Sequence, residues 1–247
     1  MPKKLRALLR ILFILKASLL LNCILLLLPG LANVRSKVTS FFFKMILWGC
    51  GIQVQLQLPS MPSASRRRLL IVANHVSYLD ILIICAIHPC IFLAKSEVAG
   101  WPVFGWVARA LGCVFVERES LMGRACALRK CLARQQASSI AIFPEGTTTA
   151  AAVPDLKAWT RGHAWIAQRA QLDAILCLGL AFENQAERAW TDDTSLLPHL
   201  LRTLGERHIR VSVSGIWTPV IADYHPHIMA RATLQNVCLA VNNACPS

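Results

Sequence analysis

Two short segments hold the residue types from which chemistry could be built: Asn74-His75-Val76-Ser77-Tyr78-Leu79-Asp80 and Phe143-Pro144-Glu145-Gly146-Thr147-Thr148-Thr149. In the first, a histidine precedes an aspartate by five positions. Helical neighbours lie three or four positions apart, so this spacing suits a His on a loop entering a helix and an Asp just inside its first turn. An imidazole held by a carboxylate is a general base: the acid selects the tautomer, and the free nitrogen takes a proton from an attacking hydroxyl. No Gly-x-Ser-x-Gly nucleophile elbow occurs in the chain. The attacking hydroxyl is therefore expected to be the substrate's own, and the transfer direct rather than through a covalent intermediate. A buried His satisfied by a nearby Asp is also an ordinary structural pair, and the second segment tips the balance. Its Pro-Glu-Gly-Thr leads from an apolar run into a polar loop. Gly146 lets backbone approach a ligand there, and successive N–H groups with Thr hydroxyls can make an anion nest.

The elements that must position these residues are legible around them. Residues 66–73 end in an apolar, partly β-branched run that reads as a buried strand stopping at Asn74, which sets His75 at a strand's C-terminal end. Open α/β sheets place their chemistry at such ends. Ser77 is the expected cap of a helix over about 78–86, with Asp80 in its first turn. Residues 139–143 read as a second strand ending at the Pro-Glu-Gly-Thr turn. Further strands are expected over 91–94, 112–116, 174–180 and 208–214, and helices over 103–111, 121–136, 161–169 and 228–242. Alternation on this scale predicts an α/β fold, a mixed or mostly parallel sheet flanked by helices. The turn-rich 58–65 reads as a linker between an N-terminal helical segment, 1–57, and a catalytic domain, 66–247.

The two segments resemble the NHxxxxD and FPEGT blocks of the glycerolipid acyltransferase family, typified by the 1-acylglycerol-3-phosphate acyltransferases. A third block agrees in order and distance: Lys95-Ser96-Glu97, then Trp101-Pro102-Val103-Phe104-Gly105-Trp106, then Gly112 to Arg118, like the family's segment ending in a substrate-binding Arg. The resemblance covers roughly residues 65–180, and three ordered blocks are far more specific than one. It implies that His75 is the base and Asp80 its orienting partner. It implies that Glu145, Gly146 and Thr147 shape the acceptor site, and that Lys95 and Arg118 bind an anionic head group; a solvated surface charge is the alternative for each cation. The chain departs from the pattern at Thr148, where many members carry Arg. A Thr hydroxyl donates one hydrogen bond and brings no charge, a loss of about 1.5 to 3 kcal/mol of phosphate binding. Thr148 resembles branches that acylate other lysolipids, such as lyso-ornithine lipid or lysophosphatidylcholine. Residues 174–179 also lack the Val-Pro or Ile-Pro step that usually closes the last block. Arg161, after the small-residue loop 150–155, is a further cation that could supply the missing charge or simply lie solvated.

Composition narrows the partners. The net charge is +13 and 55% of residues are hydrophobic. The charge favours an anionic partner, while the hydrophobic content and the lack of interleaved RNA-binding aromatic signatures point to an anionic membrane rather than nucleic acid. The ten cysteines contain no CxxC pair and the seven histidines no zinc-like spacing, so the cysteines read as reduced residues of a cytosol-facing protein. Residues 1–32 start with Lys3, Lys4, Arg6 and Arg10 and run apolar from Ile11 to Leu31, about the length needed to cross a bilayer. A cleaved signal peptide, a spanning helix, and a helical hairpin or interfacial anchor completed by the apolar 38–52 all fit this pattern. The hairpin is preferred because it leaves both ends cytosolic and resembles the N-terminal helical pair of some bacterial relatives. Trp101, Phe104 and Trp106 read as core packing or as an interfacial lip.

The resemblance thus implies a membrane-associated O-acyltransferase on the cytoplasmic face, in a bacterium the inner membrane. It would move a fatty acyl chain from acyl-CoA or acyl carrier protein to the free hydroxyl of a lysolipid. Lysophosphatidate stands first among acceptors, with lyso-ornithine lipid or another lysophospholipid as alternatives. The chemistry calls for no cofactor or metal, only the acyl thioester as co-substrate. A lysophospholipid hydrolase and a non-catalytic membrane-binding protein are the rival readings.

Overall fold

The structure is a computed structural model; it describes residues 1–60, 68–151, 153–155, 157–191 and 195–245. Part of the expected linker, 61–65, lies outside the described residues. At its centre is a seven-stranded sheet. The strands are β1 (Ile52–Gln57), β2 (Leu70–Ala73), β3 (Ile91–Lys95), β4 (Val114–Val116), β5 (Ile140–Ile142), β6 (Ala174–Phe182) and β7 (Ile209–Pro219). Their order across the sheet is β1-β7-β6-β2-β5-β3-β4. β6, β2, β5, β3 and β4 run parallel, β7 is antiparallel to β6, and β1 is parallel to β7. The mixed, mostly parallel sheet of the sequence reading is therefore present. Its five parallel strands all end on one edge, which brings the turns after β2, β5, β3, β4 and β6 together.

Helices cover both faces. One carries α1 (Lys3–Leu27), α2 (Ala32–Gly49), α3 (Leu79–Ile87), α4 (Phe104–Leu111) and α8 (Leu196–Gly205), packed on Ile71, Ala73, Ala141, Leu178 and Val213. The other carries α5 (Leu121–Gln135), α6 (Gly162–Arg169) and α9 (Pro226–Ala244), packed on Leu70, Val72, Ile140, Ile142 and Cys177. Alternate residues of β2 thus serve opposite cores, and all four are buried. Burial on both sides is why this strand reads as a continuous apolar run. A short α7 (Gln185–Arg188) follows β6.

The N-terminal helices form a pair joined by a turn in which Gly30 adopts φ 77°, a conformation open to glycine at no steric cost. They pack on each other and on the rest of the fold, α1 against α8 and α4, α2 against α3. β1, within the stretch assigned by sequence to the N-terminal segment, is an edge strand of the sheet paired with β7 from Ile52 to Gln57. α1 is long and apolar enough to cross a bilayer by length and composition. One stripe of it, including Ala7, Ile14, Leu21 and Leu25, is buried against the domain, while Leu8, Leu12 and Leu20 on other faces stay about half exposed.

Candidate active site

The geometry grows out of the first turn after β2. Asn74, buried at the strand's end, exchanges two hydrogen bonds with β6: its Nδ2 donates to the Leu180 carbonyl at 2.9 Å and its Oδ1 accepts from Leu180 N–H at 2.8 Å. That tie fixes where the chain leaves the sheet. His75 and Asp80 then meet as the spacing predicts, Nδ1 to Oδ2 at 2.8 Å. The same Oδ2 accepts the backbone N–H groups of Val76 at 2.7 Å and Ser77 at 2.9 Å. An oxygen taking two backbone donors is an acceptor, so Nδ1 carries the imidazole proton and Nε2 keeps its lone pair. Asp80 is fully buried and the His75 side chain 15% exposed, leaving the imidazole a narrow opening.

The cap of α3 differs from expectation. Ser77 is not the N-cap; Tyr78 holds that position without a side-chain cap bond, and Ser77 Oγ reaches only Leu79 N–H, at 3.4 Å. Asp80, in the first turn, instead gathers the N–H groups that precede the helix. These bonds to a carboxylate are charge-assisted, roughly twice as strong as neutral ones, and hold the turn before the helix.

The turn after β5 closes over the histidine. The Phe143 ring stacks on the His75 imidazole, centroids 3.9 Å apart and planes 10° from parallel, and Phe92 lies behind Phe143 at 5.9 Å. Together with Asp80, this stack fixes the imidazole in plane and in rotation. Glu145 Oε2 accepts the His75 backbone N–H at 3.0 Å, and His75 O accepts from Thr149 N–H at 2.8 Å, so the two motifs hold each other by main chain as well as side chain. Burial raises the Glu145 carboxyl to about 7; the charges of Asp80 and Asp155 push the same way, and the His75 N–H opposes them. Gly146 makes the turn at φ 75° with open space where a side chain would stand. Thr147 is exposed beside it. Thr148, half-buried, donates its hydroxyl to the Trp190 carbonyl.

The expected head-group cations lie further along the same edge. Lys95 ends β3, is exposed, and pairs with exposed Glu97 at 3.1 Å. Arg118 follows β4, half-buried, its carbonyl accepting from the Arg124 guanidinium at 2.8 Å. Arg161 precedes α6 and is exposed. Of the block's aromatics, Trp101 is half-buried against Trp190, centroids 6.2 Å apart, whereas Phe104 and Trp106 are 37% and 50% exposed on α4 beside α1. Core packing therefore does not account for the last two. All ten cysteines are free, with Cys23, Cys126 and Cys245 exposed. Among the described residues no cluster of His, Cys, Asp or Glu could hold a metal ion.

Sequence reasoning missed Phe143 and Trp190. Phe143 reads as the last residue of a strand that in fact stops at Ile142. Trp190 joins the site mainly through its backbone: its N–H donates to the Val76 carbonyl at 3.0 Å and its own carbonyl receives Thr148. Contacts of main-chain atoms leave no signal in residue type.

A sheet edge with a carboxylate-held histidine on one turn and a Pro-Glu-Gly-Thr turn locked against it can be compared with known proteins. Residues 54–181, just over half of the chain, match the Acyltransferase family, and the chain belongs to that family. It is 35% identical over 164 residues to the lyso-ornithine lipid O-acyltransferase of Rhizobium meliloti, covering 60% of this chain and 56% of that protein. It is 35% identical over 104 residues to the 1-acyl-sn-glycerol-3-phosphate acyltransferase of Neisseria gonorrhoeae, covering 40% of this chain and 38% of that one. The chain thus spans about half the length, or less, of these relatives. The crystal structure of the 1-acyl-sn-glycerophosphate acyltransferase PlsC from Thermotoga maritima has the same fold, with TM-score 0.70 and 17% identity over 99% of both chains.

Proposed function

We propose that this protein is a lysolipid O-acyltransferase. The carrying observation is the 2.8 Å contact of His75 Nδ1 with the buried Asp80, which turns Nε2 outward as a base. His75 Nε2 takes the proton of the lysolipid hydroxyl as that oxygen attacks the carbonyl carbon of an acyl thioester. The C–S bond breaks, the ester C–O bond forms, and the imidazolium returns its proton to the departing thiolate. Asp80 stabilises the imidazolium while it exists. The donor is acyl-CoA or acyl carrier protein, and the step calls for no metal or prosthetic group. Glu145 supports the reaction by holding the His75 main chain, and exposed Thr147 offers its hydroxyl to the acceptor.

The acceptor we place first is lyso-ornithine lipid, ahead of lysophosphatidate. Thr148 puts no charge beside the base, and its one proton is committed to Trp190, which weakens the case for a phosphate bound there. The relative from Rhizobium meliloti, matched over more of this chain than the Neisseria one, carries the lyso-ornithine name. The exposed leucines of α1, with Phe41 and Trp48 of α2, 63% and 83% exposed, suit the surface of a bilayer on its cytoplasmic side, where both substrates are held. An acceptor competition decides the matter. Membranes holding the protein receive a labelled acyl thioester with lyso-ornithine lipid and lysophosphatidate at equal concentration. A larger kcat/KM for lyso-ornithine lipid is expected; a tenfold preference for lysophosphatidate reverses the order.

A further inference from the structure

Resting on that reading, we propose that Thr148 and Trp190 form a clamp that holds the histidine loop and the glutamate loop in register. Thr148 is then a positioning residue and not a ligand of the acceptor's head group.

The clamp is built from three chain segments. Trp190 N–H binds the Val76 carbonyl, one residue past the base, at 3.0 Å, and the Thr148 hydroxyl binds the Trp190 carbonyl. One peptide segment therefore touches both motif loops. A second tie lies beside it: Gln185 Nε2, on α7, donates to the Ala151 carbonyl at 2.7 Å. The segment is itself anchored, with Arg188 and Ala189 buried and the Trp190 ring edge-on to Tyr78 at 6.1 Å and to Trp101 at 6.2 Å. Trp190 also lies beyond the stretch that matches the family, residues 54–181. The two motifs are thus fastened from outside the matched region.

The hydroxyl's chemistry decides Thr148's part. It has a single proton, and once that proton is given to a carbonyl only acceptor lone pairs remain. An anionic head group needs donors. Thr148 could serve one only by giving up the bond it already donates to Trp190.

The test is a steady-state comparison of Thr148→Val, which keeps the shape and removes the proton, with Thr148→Ser, which keeps the proton. Each is assayed against lyso-ornithine lipid, lysophosphatidate and lysophosphatidylethanolamine. The clamp predicts that Thr148→Val lowers kcat roughly tenfold or more for every acceptor, since small displacements of a base are costly, with acceptor KM held within about twofold. Thr148→Ser should restore kcat. Gln185→Met should lower kcat in the same direction. Carbethoxylation of His75 by diethyl pyrocarbonate, which needs no substrate, should run several-fold faster in Thr148→Val than in wild type or Thr148→Ser. An acceptor-selective rise in KM with kcat kept would overturn the clamp, as would wild-type kinetics and wild-type His75 reactivity in Thr148→Val. Should the wild type acylate no lysolipid, the functional reading fails, and the carbethoxylation rates still decide the clamp.

Discussion

Replacing Asp80 by Asn separates the charge of this carboxylate from its geometry. Oδ2 accepts three donors, His75 Nδ1–H and the N–H groups of Val76 and Ser77. An Asn at this place must turn its oxygen toward them, because an amide NH2 facing two backbone N–H groups would oppose donor to donor. The tautomer of His75 therefore survives, and what is lost is the negative charge beside the imidazolium formed in the transition state. Two unit charges about 4 Å apart at an effective dielectric near 20 attract by roughly 4 kcal/mol. A loss of about 3 to 4 kcal/mol corresponds to about 10²- to 10³-fold in kcat. That is less than the roughly 10⁴-fold drop seen where the same exchange in a serine protease triad yields the wrong tautomer. Thioester cleavage followed through the released thiol, with melting temperatures recorded alongside, reads this directly. Activity within threefold of wild type would refute the idea that Asp80 stabilises a charged His75. Asp80→Ala should behave differently, since it strands two buried N–H groups at about 1 to 3 kcal/mol each and lowers stability as well as rate.

Three further outcomes follow from the same geometry. Glu145 has a folded-state value near 7, raised from 4.5, so its contribution to stability is full below pH 4.5 and is lost as pH rises through about 7. Glu145→Gln, which can still accept the His75 N–H, should therefore melt close to wild type in acid and gain on it toward pH 8; calorimetry across that range showing a constant difference would contradict this. Asn74→Leu leaves Leu180 N–H and C=O without partners in the core and should cost about 2 to 4 kcal/mol by urea titration. Phe143→Leu keeps apolar volume but removes the stack on His75, so kcat should fall roughly tenfold while the stability loss stays below about 2 kcal/mol.

How much of this was legible in the sequence differs from element to element. The strand-turn-helix around His75 could be read because β2 is buried on both faces and reads as one apolar run, and because a His and an Asp five apart can meet only across a helix start. The Pro-Glu-Gly turn was equally plain, since Gly146 takes a positive φ that few other residues tolerate. Three elements were not read. β1 alternates cleanly as Ile52-Gln53-Val54-Gln55-Leu56-Gln57, but it directly follows an apolar helix and reads as part of that segment. α8 carries Pro198 in its first turn, where proline is tolerated although it looks like a breaker. α7 is four residues long, too short for any period to show. The Ser77 cap fails because Tyr78 holds the N-cap position, while the N–H groups of the turn before it go to Asp80. Trp190 has no sequence signature, because it enters the site by main-chain atoms.

The central claim is that His75 is the base in acyl transfer to a lysolipid hydroxyl, and product analysis by mass tests it most directly. Membranes containing wild type or His75→Ala are given a labelled acyl thioester and a panel of lysolipids. The account predicts a product heavier than one acceptor by one acyl group, formed by the wild type and absent with His75→Ala. Free fatty acid without an acylated lipid, or an acylated lipid formed equally by both proteins, would contradict it.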